Sequence, residues 1–169
     1  FDSPVSIIRP FNTYGPRQSQ RAIIPTIINQ IENNKDNQIV ELGNLNPTRD
    51  FSFVDDTCNA FIKFINSKKC LGKPINIGSG SNISIQELAK LIAKLMNKKI
   101  KFKKSKIRIR PKSSEVQNLC ANINVAKKDL GWSPKYSGIL GLKKGLIKTI
   151  DWYQNQEKKQ SVSSKKYIY

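Results

Sequence analysis

Histidine is absent from this chain of 169 residues, and the three cysteines, Cys58, Cys70 and Cys120, are odd in number and far apart. With no Cys-x-x-Cys pair, these absences exclude a zinc site of the usual spacing, a Ser-His-Asp triad and a histidine general base. The thiols read as reduced packing residues, with Cys58 placed in the core by the apolar helical pattern around it. No apolar run approaches the ~18 residues that a membrane span needs, and no signal-type segment precedes the first strand, so a cytoplasmic protein is expected. Phe1-Asp2-Ser3-Pro4 runs into that strand without an initiator Met, which reads as a cut in a longer chain. Acidic residues are scarce: 12 Asp and Glu against 30 Lys and Arg, a formal charge of +18. Such a field attracts polyanions and phosphorylated ligands. The lysines are spread widely, however, and the run from Lys98 to Lys104 alternates with apolar residues at period 2, as a strand with one solvated face does. No aromatic-interleaved motif accompanies the charge, so nucleic acid is not the expected partner.

Mixed helices and strands fill the chain, with no internal repeat. Val5-Ser6-Ile7-Ile8 reads as a buried strand. Ile24, Ile27, Ile28 and Ile31 stripe a helix from Ile23 to Ile31. Ile39–Leu42 and Phe51–Val54 read as short strands. Asp55 or Asp56 is the expected cap of the next helix, with Phe61, Phe64 and Ile65 facing inward. Pro74–Ile77 reads as a strand, and Ser84-Ile85-Gln86-Glu87 as a capping box opening a helix with Ile85, Leu88, Leu91, Ile92 and Leu95 on one side. Ile100–Ile109 is the basic strand. A helix from Asn124 stops at Gly131-Trp132 with Pro134 beyond it, and Leu142, Leu146, Ile150 and Tyr153 stripe the last helix. Residues 1–157 form the expected domain, and 158–169 a basic tail expected to fray. The regular βαβαβ alternation of a complete dinucleotide-binding sheet is lacking.

Gly78-Ser79-Gly80 sits between a strand and a helix, as a phosphate loop does, but it lacks the third glycine and a strand-terminal acidic residue about 20 positions on. A glycine turn followed by a capping box accounts for it without a ligand. The segment Arg9-Pro10-Phe11-Asn12-Thr13-Tyr14-Gly15-Pro16-Arg17 is richer. It places a guanidinium, an amide and a phenol at the carboxyl end of a strand, where ligands of open α/β sheets bind. Arg49 and Arg110 also stand at strand ends, and guanidinium forks match phosphate oxygens in pairs. With Asn12 and Glu115 they suggest a cleft for a diphosphate and a sugar.

These segments, with Ala22-Ile-Ile-Pro25, Arg49-Asp-Phe-Ser-Phe-Val-Asp-Asp56, Asn76-Ile-Gly-Ser-Gly80, Arg110-Pro-x-x-Ser-Glu-Val116 and Leu130-Gly-Trp-x-Pro134, resemble the C-terminal half of an extended short-chain dehydrogenase/reductase. The likeness is to the NAD-dependent epimerase/dehydratase family, and within it to nucleotide-sugar 4,6-dehydratases of the legionaminic-acid type. It implies an α/β fold: the substrate-binding lobe and last strands of a Rossmann-type enzyme, with the N-terminal cofactor-binding part missing. It implies NAD as cofactor, bound mainly by that part, a nucleotide diphosphate sugar as substrate and a homodimer as the intact assembly. By resemblance, Asn12 bonds the diphosphate or sugar, the Phe11 backbone lies near the nicotinamide, and Ile23-Ile24-Pro25 line the nucleotide pocket. Arg49 and Arg110 clamp the diphosphate and Glu115 holds the ribose. Glu115 stands five positions after Arg110 where many relatives have an acidic residue at three, a spacing that fits the dehydratase-like subgroup.

The family's catalytic Tyr-x-x-x-Lys pair is absent, since Tyr14, Tyr136 and Tyr153 are followed four on by Gln18, Leu140 and Glu157. The expectation is therefore the substrate portion of a nucleotide-sugar 4,6-dehydratase, inactive alone, with no catalytic residue of its own and no metal. A 4-epimerase is the alternative within the family. A basic nucleotide- or RNA-binding module is the alternative from another class. A truncated gene product with the Val5–Ile8 strand unpaired at a sheet edge is a third.

Overall fold

A computed structural model describes residues 5–34, 39–105 and 115–164, with 156–164 as backbone alone. The elements run β1 (Ile7–Pro10), β2 (Asn12–Tyr14), α1 (Ile23–Asn33), β3 (Ile39–Leu42), β4 (Thr48–Arg49), β5 (Phe51–Phe53), α2 (Val54–Ile65), a 3-10 turn (Lys68–Cys70), β6 (Pro74–Ile77), β7 (Ile83–Ser84), α3 (Ile85–Leu95), β8 (Lys101–Lys104), β9 (Asn118–Leu119), α4 (Asn124–Leu130) and α5 (Gly138–Ser164).

β1 pairs in parallel with β6, Ile8 opposite Ile75. At Phe11 the chain changes partner. The Phe11 N–H donates to the Ile77 carbonyl at 2.8 Å, and the next residues, as β2, pair in parallel with β5. This handover sets Asn12 at the carboxyl end of one ladder and the start of another. β4 lies between β7, antiparallel to it, and β9, parallel to it. β3 pairs in parallel with β8. The free side of Glu41 is closed by a side chain: the Gln30 amide accepts from the Glu41 N–H at 2.6 Å and donates to the Glu41 carbonyl at 3.0 Å.

Two apolar clusters hold these pieces. The larger gathers Tyr14, Phe53, Val40 and Leu42 with the striped faces of α1, α3 and α5. Ile24, Ile27 and Ile28 are buried there together with Leu88, Ile92 and Leu146, as the helical spacing of each segment predicts. The capping box forms: Ser84 Oγ accepts from the Glu87 N–H, and the Glu87 carboxylate accepts from the Ser84 N–H. The smaller cluster sets Ala60 of α2 and Ala126 of α4 against Ile75, Ile77 and Trp132. Gly131, at φ 57°, ends α4 in the left-handed conformation that favours glycine.

Five expectations are corrected. The first strand is Ile7–Pro10 and is largely exposed, because a helix layer covers only one of its faces. The strand at Phe51 stops at Phe53, and Val54 opens α2. Neither Asp55 nor Asp56 caps α2: Phe53 is the N-cap, and the Asp56 carboxylate accepts from the backbone N–H groups of Lys135 and Tyr136 at 2.9 and 2.8 Å. Of Phe61, Phe64 and Ile65 only Phe64 turns partly inward, since the buried side of α2 is Asp56, Thr57 and Ala60. Cys58 lies on the exposed side and Cys70 is the buried thiol. The basic strand is described over Lys101–Lys104, and its expected continuation from 106 to 109 lies outside the described residues. The α5 backbone continues to Ser164.

Tyr14 is buried under α5, and its hydroxyl donates to the Leu142 carbonyl at 3.2 Å. Burial, reinforced by the Asp56 charge, pushes its phenol well above the usual tyrosine value. An acid raised in the folded state holds its proton more tightly there than when unfolded. Its contribution is intact below about pH 10 and is lost as pH rises beyond that. Tyr14→Phe is expected to flatten the loss of stability above about pH 10, read from denaturant midpoints between about pH 10 and 12. An unchanged slope would assign the loss elsewhere.

Candidate functional site

The site grows from the β4–β9 pairing. Thr48 lies opposite Asn118 and its N–H donates to the Gln117 carbonyl at 2.9 Å, which brings residues 115–117 alongside β4. Arg49 then forks. Its Nη2 donates to Glu115 Oε1 at 2.7 Å, and its Nη1 donates to the carbonyls of Val116 at 2.6 Å and Thr48 at 2.9 Å. Both side chains of this ion pair are mostly shielded from solvent. On the other wall, Asn12 Nδ2 donates to the Asp50 carbonyl at 2.8 Å, leaving its oxygen and one N–H available.

Between these walls lies a cleft of about 440 Å³, lined by Asn12, Ile23, Arg49 and Glu115 together with Thr13, Gln18, Arg21, Thr26 and Asn44. Its floor is apolar, from Leu42, Phe51 and Ile85. Two guanidiniums, one carboxylate and several amides and hydroxyls over an apolar floor suit an anionic, hydroxyl-rich ligand with a planar base.

Four residues singled out from the sequence thus meet here: Asn12, Ile23, Arg49 and Glu115. Ile24 does not line the cleft; its side chain is packed in the main core, and Pro25 is buried beside it. Phe11 also stands outside the lining, packed on the smaller cluster, with its carbonyl accepting from Thr13 Oγ1 at 3.2 Å. Arg110 lies outside the described residues. Sequence reasoning passed over Arg21, the cleft's second described cation, although it directly precedes the Ala22-Ile-Ile-Pro25 segment.

The Gly78–Gly80 turn carries a ligand of a different kind, the protein's own Asp50. Oδ1 accepts from Ser79 N and Ser79 Oγ, both at 2.7 Å, and Oδ2 from Gly80 N at 3.0 Å and Ala121 N at 3.1 Å. A Cβ at Gly78 would overlap Ala121 and approach Asp50 Oδ2 to 2.9 Å. An internal carboxylate thus occupies the N–H groups that a phosphate would use.

Known proteins share both sequence and architecture. The sequence profile of the GDP-mannose 4,6 dehydratase family matches residues 1–144. A putative UDP-glucose 4-epimerase of Methanocaldococcus jannaschii is 30% identical over 156 residues, covering 90% of this chain and 47% of that protein. Human dTDP-D-glucose 4,6-dehydratase is 29% identical over 164 residues, covering 89% of this chain and 42% of its own length. The structure of UDP-glucuronic acid 4-epimerase from Bacillus cereus, in complex with UDP-glucuronic acid and NAD, superposes with a TM-score of 0.76 at 29% identity, over 90% of this chain and 46% of that one. The chain spans about half the length of the curated relatives it matches. With a family profile over most of its residues and a Rossmann-type partner for its fold, the chain belongs to the GDP-mannose 4,6 dehydratase family of NAD-dependent epimerases/dehydratases, as a part of the extended short-chain dehydrogenase/reductase domain.

Proposed function

We propose that this chain is the substrate-binding portion of an NAD-dependent nucleotide-sugar 4,6-dehydratase. The observation that carries the reading is the convergence of Asn12, Ile23, Arg49 and Glu115 on one cleft with Arg21. The overall reaction of the whole protein would oxidise C4 of the sugar, eliminate water across C5–C6 and return the hydride to C6.

Within it, this chain's residues bind and orient. Ile23 and Phe51 offer an apolar seat for the base. Arg21, and by resemblance Arg110, face the diphosphate. Arg49 holds the Glu115 carboxylate in place through its ion pair, leaving the second oxygen of Glu115 to accept from a ribose hydroxyl. Asn12 presents its free amide positions to the diphosphate or sugar.

The dinucleotide does not fit the described residues. The one glycine turn of suitable form among the described residues has its N–H groups engaged by Asp50, so NAD is assigned to residues beyond this chain; by resemblance alone the Phe11 backbone lies near the nicotinamide. The chain alone is accordingly proposed to be inactive, and the whole protein to be a cytoplasmic homodimer.

Arg49→Ala in the whole enzyme is expected to weaken substrate binding by about 1.5–3 kcal/mol, the range for hydrogen bonds to charged groups, with kcat less affected than KM. Steady-state kinetics check it, and unchanged KM and kcat would remove Arg49 from the site. A 4-epimerase is the second reading, supported by the epimerases among the similar proteins. Product analysis separates the two: a 4-keto-6-deoxy sugar supports dehydration, and a C4-inverted sugar with its C6 hydroxyl intact supports epimerisation.

A further inference from the structure

The N-terminal ends of α3 and α5 border a second hollow, of about 400 Å³, which shares only Phe51 with the cleft of Asn12 and Arg49. Its walls are largely apolar: Leu91 of α3, Ile139 and Leu142 of α5, and the Phe51 ring. The turn at residues 79–82 closes one end and is fastened to the start of α5. Ser81 Oγ accepts from the Gly138 N–H at 3.2 Å, and Ser137 Oγ donates to the Ser79 carbonyl at 2.8 Å. Tyr136 supplies a second ring to the walls. That ring is fixed by Phe53 at 4.4 Å and by Lys148 Nζ, which donates to its hydroxyl at 2.6 Å. Walls held by such contacts form a site in advance of any ligand.

The charge of this hollow runs against that of the molecule. The chain has 30 Lys and Arg against 12 Asp and Glu. Among the described residues, the cleft and three other hollows each have Lys or Arg in their walls. This one has neither, and its single charged wall residue is Glu87. The capping box uses only half of that carboxylate. Oε2 accepts from Ser84 N at 3.1 Å and Ser84 Oγ at 2.7 Å, which leaves Oε1 available. The same bonds, with Lys90 near by on α3, hold the carboxyl below its ordinary value and so keep it ionised. Lys90 and Lys148 both stand outside the walls. Asn82, beside Glu87 in the lining, turns a second acceptor to the hollow. The Thr48 hydroxyl spends its proton on Asn118 Oδ1 at 2.7 Å, so it must accept from Asn82 Nδ2, at 3.1 Å. The Asn82 amide is thereby oriented, with its oxygen left to accept.

We propose that this hollow is a second binding site, for a small molecule that carries an ammonium group on an aromatic body. The ammonium pairs with Glu87 Oε1 and donates to the Asn82 oxygen. The body lies among Leu91, Leu142 and the rings of Phe51 and Tyr136, where aromatic contacts are favourable. A phosphorylated or carboxylated molecule is rejected, because the one charge it meets in the walls has its own sign. The site is independent of the reaction proposed above.

Three phenols of similar size and different charge test the proposal on the whole protein: tyramine, uncharged 4-ethylphenol and anionic phloretate. Affinities at neutral pH, read by saturation-transfer NMR titration, are expected to fall in that order. Glu87→Gln preserves the capping box, which glutamine also completes. It is expected to weaken tyramine about three- to fivefold, the range of a partly exposed ion pair, and to leave 4-ethylphenol unchanged. Ile139→Trp, at a half-exposed position, fills the hollow and is expected to weaken tyramine and 4-ethylphenol alike. Equal affinities for the three phenols would overturn the proposal. So would the lack of saturable tyramine binding, or tyramine binding that either variant leaves unchanged.

Discussion

Asp50→Ala is expected to abolish cooperative folding, while Asp55→Ala, five residues on, leaves the melting transition nearly unmoved. Asp50 is fully buried, and its carboxylate takes the N–H groups of Ser79, Gly80 and Ala121 and the Ser79 hydroxyl. Removing it leaves three backbone donors unpaired, those of Ser79 and Ala121 buried and that of Gly80 partly buried. At about 1–3 kcal/mol for each unsatisfied donor the loss is ~3–9 kcal/mol, comparable with the whole stability of an ordinary domain. Asp50→Asn fares little better, because its amide nitrogen must face two of the donors. Asp55, by contrast, is exposed and meets Lys148 at 3.7 Å, a contact worth little in water. Thermal unfolding followed by circular dichroism checks both variants. A cooperative transition within a few degrees of wild type for Asp50→Ala would show that the turn at Gly78 holds without its carboxylate.

The contrast between these neighbouring acids shows what was legible in the sequence and what was not. α1, α3 and α5 were readable because each buries one regular apolar stripe, and the capping box at Ser84 is a local signal complete within four residues. α2 has an equally regular stripe, but periodicity shows only that a face is apolar. What covers that face depends on elements elsewhere, and the side that packs in this chain is Asp56, Thr57 and Ala60. Asp56 reads as a cap and Asp50 carries no local signal of its role, because the donors they serve lie about 30 to 80 positions away, in segments that no local pattern ties to them. The cleft divides similarly. Arg49 and Glu115 could be selected by their chemistry, but their pairing with each other, across 66 positions, follows from the β4–β9 register. Ile24 was misplaced for a simpler reason. In the Ile23-Ile24-Pro25 run two adjacent isoleucines point in directions about 100° apart on a helix, and only Ile23 reaches the cleft.

Gly145→Ala is expected to lower stability even though alanine is the better helix former by about 1 kcal/mol. Gly145 lies where α5 crosses the aromatic pair Tyr14 and Phe53. A Cβ there would overlap the Tyr14 hydroxyl and come within 2.8 Å of Phe53 Cδ2. Neither ring can retreat easily. Tyr14 stands edge-on to Phe51 and Phe53 at centroid distances of 6.3 and 5.4 Å, and Phe53 is stacked at a tilt on Tyr136 at 4.4 Å. The helix must lift instead. That stretches the Tyr14 bond to Leu142 and carries away Lys148, whose ammonium lies 5.5 Å from the Phe53 ring centre and 5.1 Å from that of Tyr136. Overpacking of this kind costs about 3 kcal/mol or more where rings cannot rotate aside. The melting temperature should then fall by roughly 6–12 °C for a chain of this size. Lys144→Ala, one residue earlier on the exposed side of α5, is expected to stay within about 0.5 kcal/mol of wild type. Differential scanning calorimetry of the pair is the measurement. A Gly145→Ala protein as stable as wild type would mean that α5 does not seat flush on Tyr14. Since Tyr14 follows Asn12 by two residues in β2, the seating of this helix is also what holds one wall of the cleft in register.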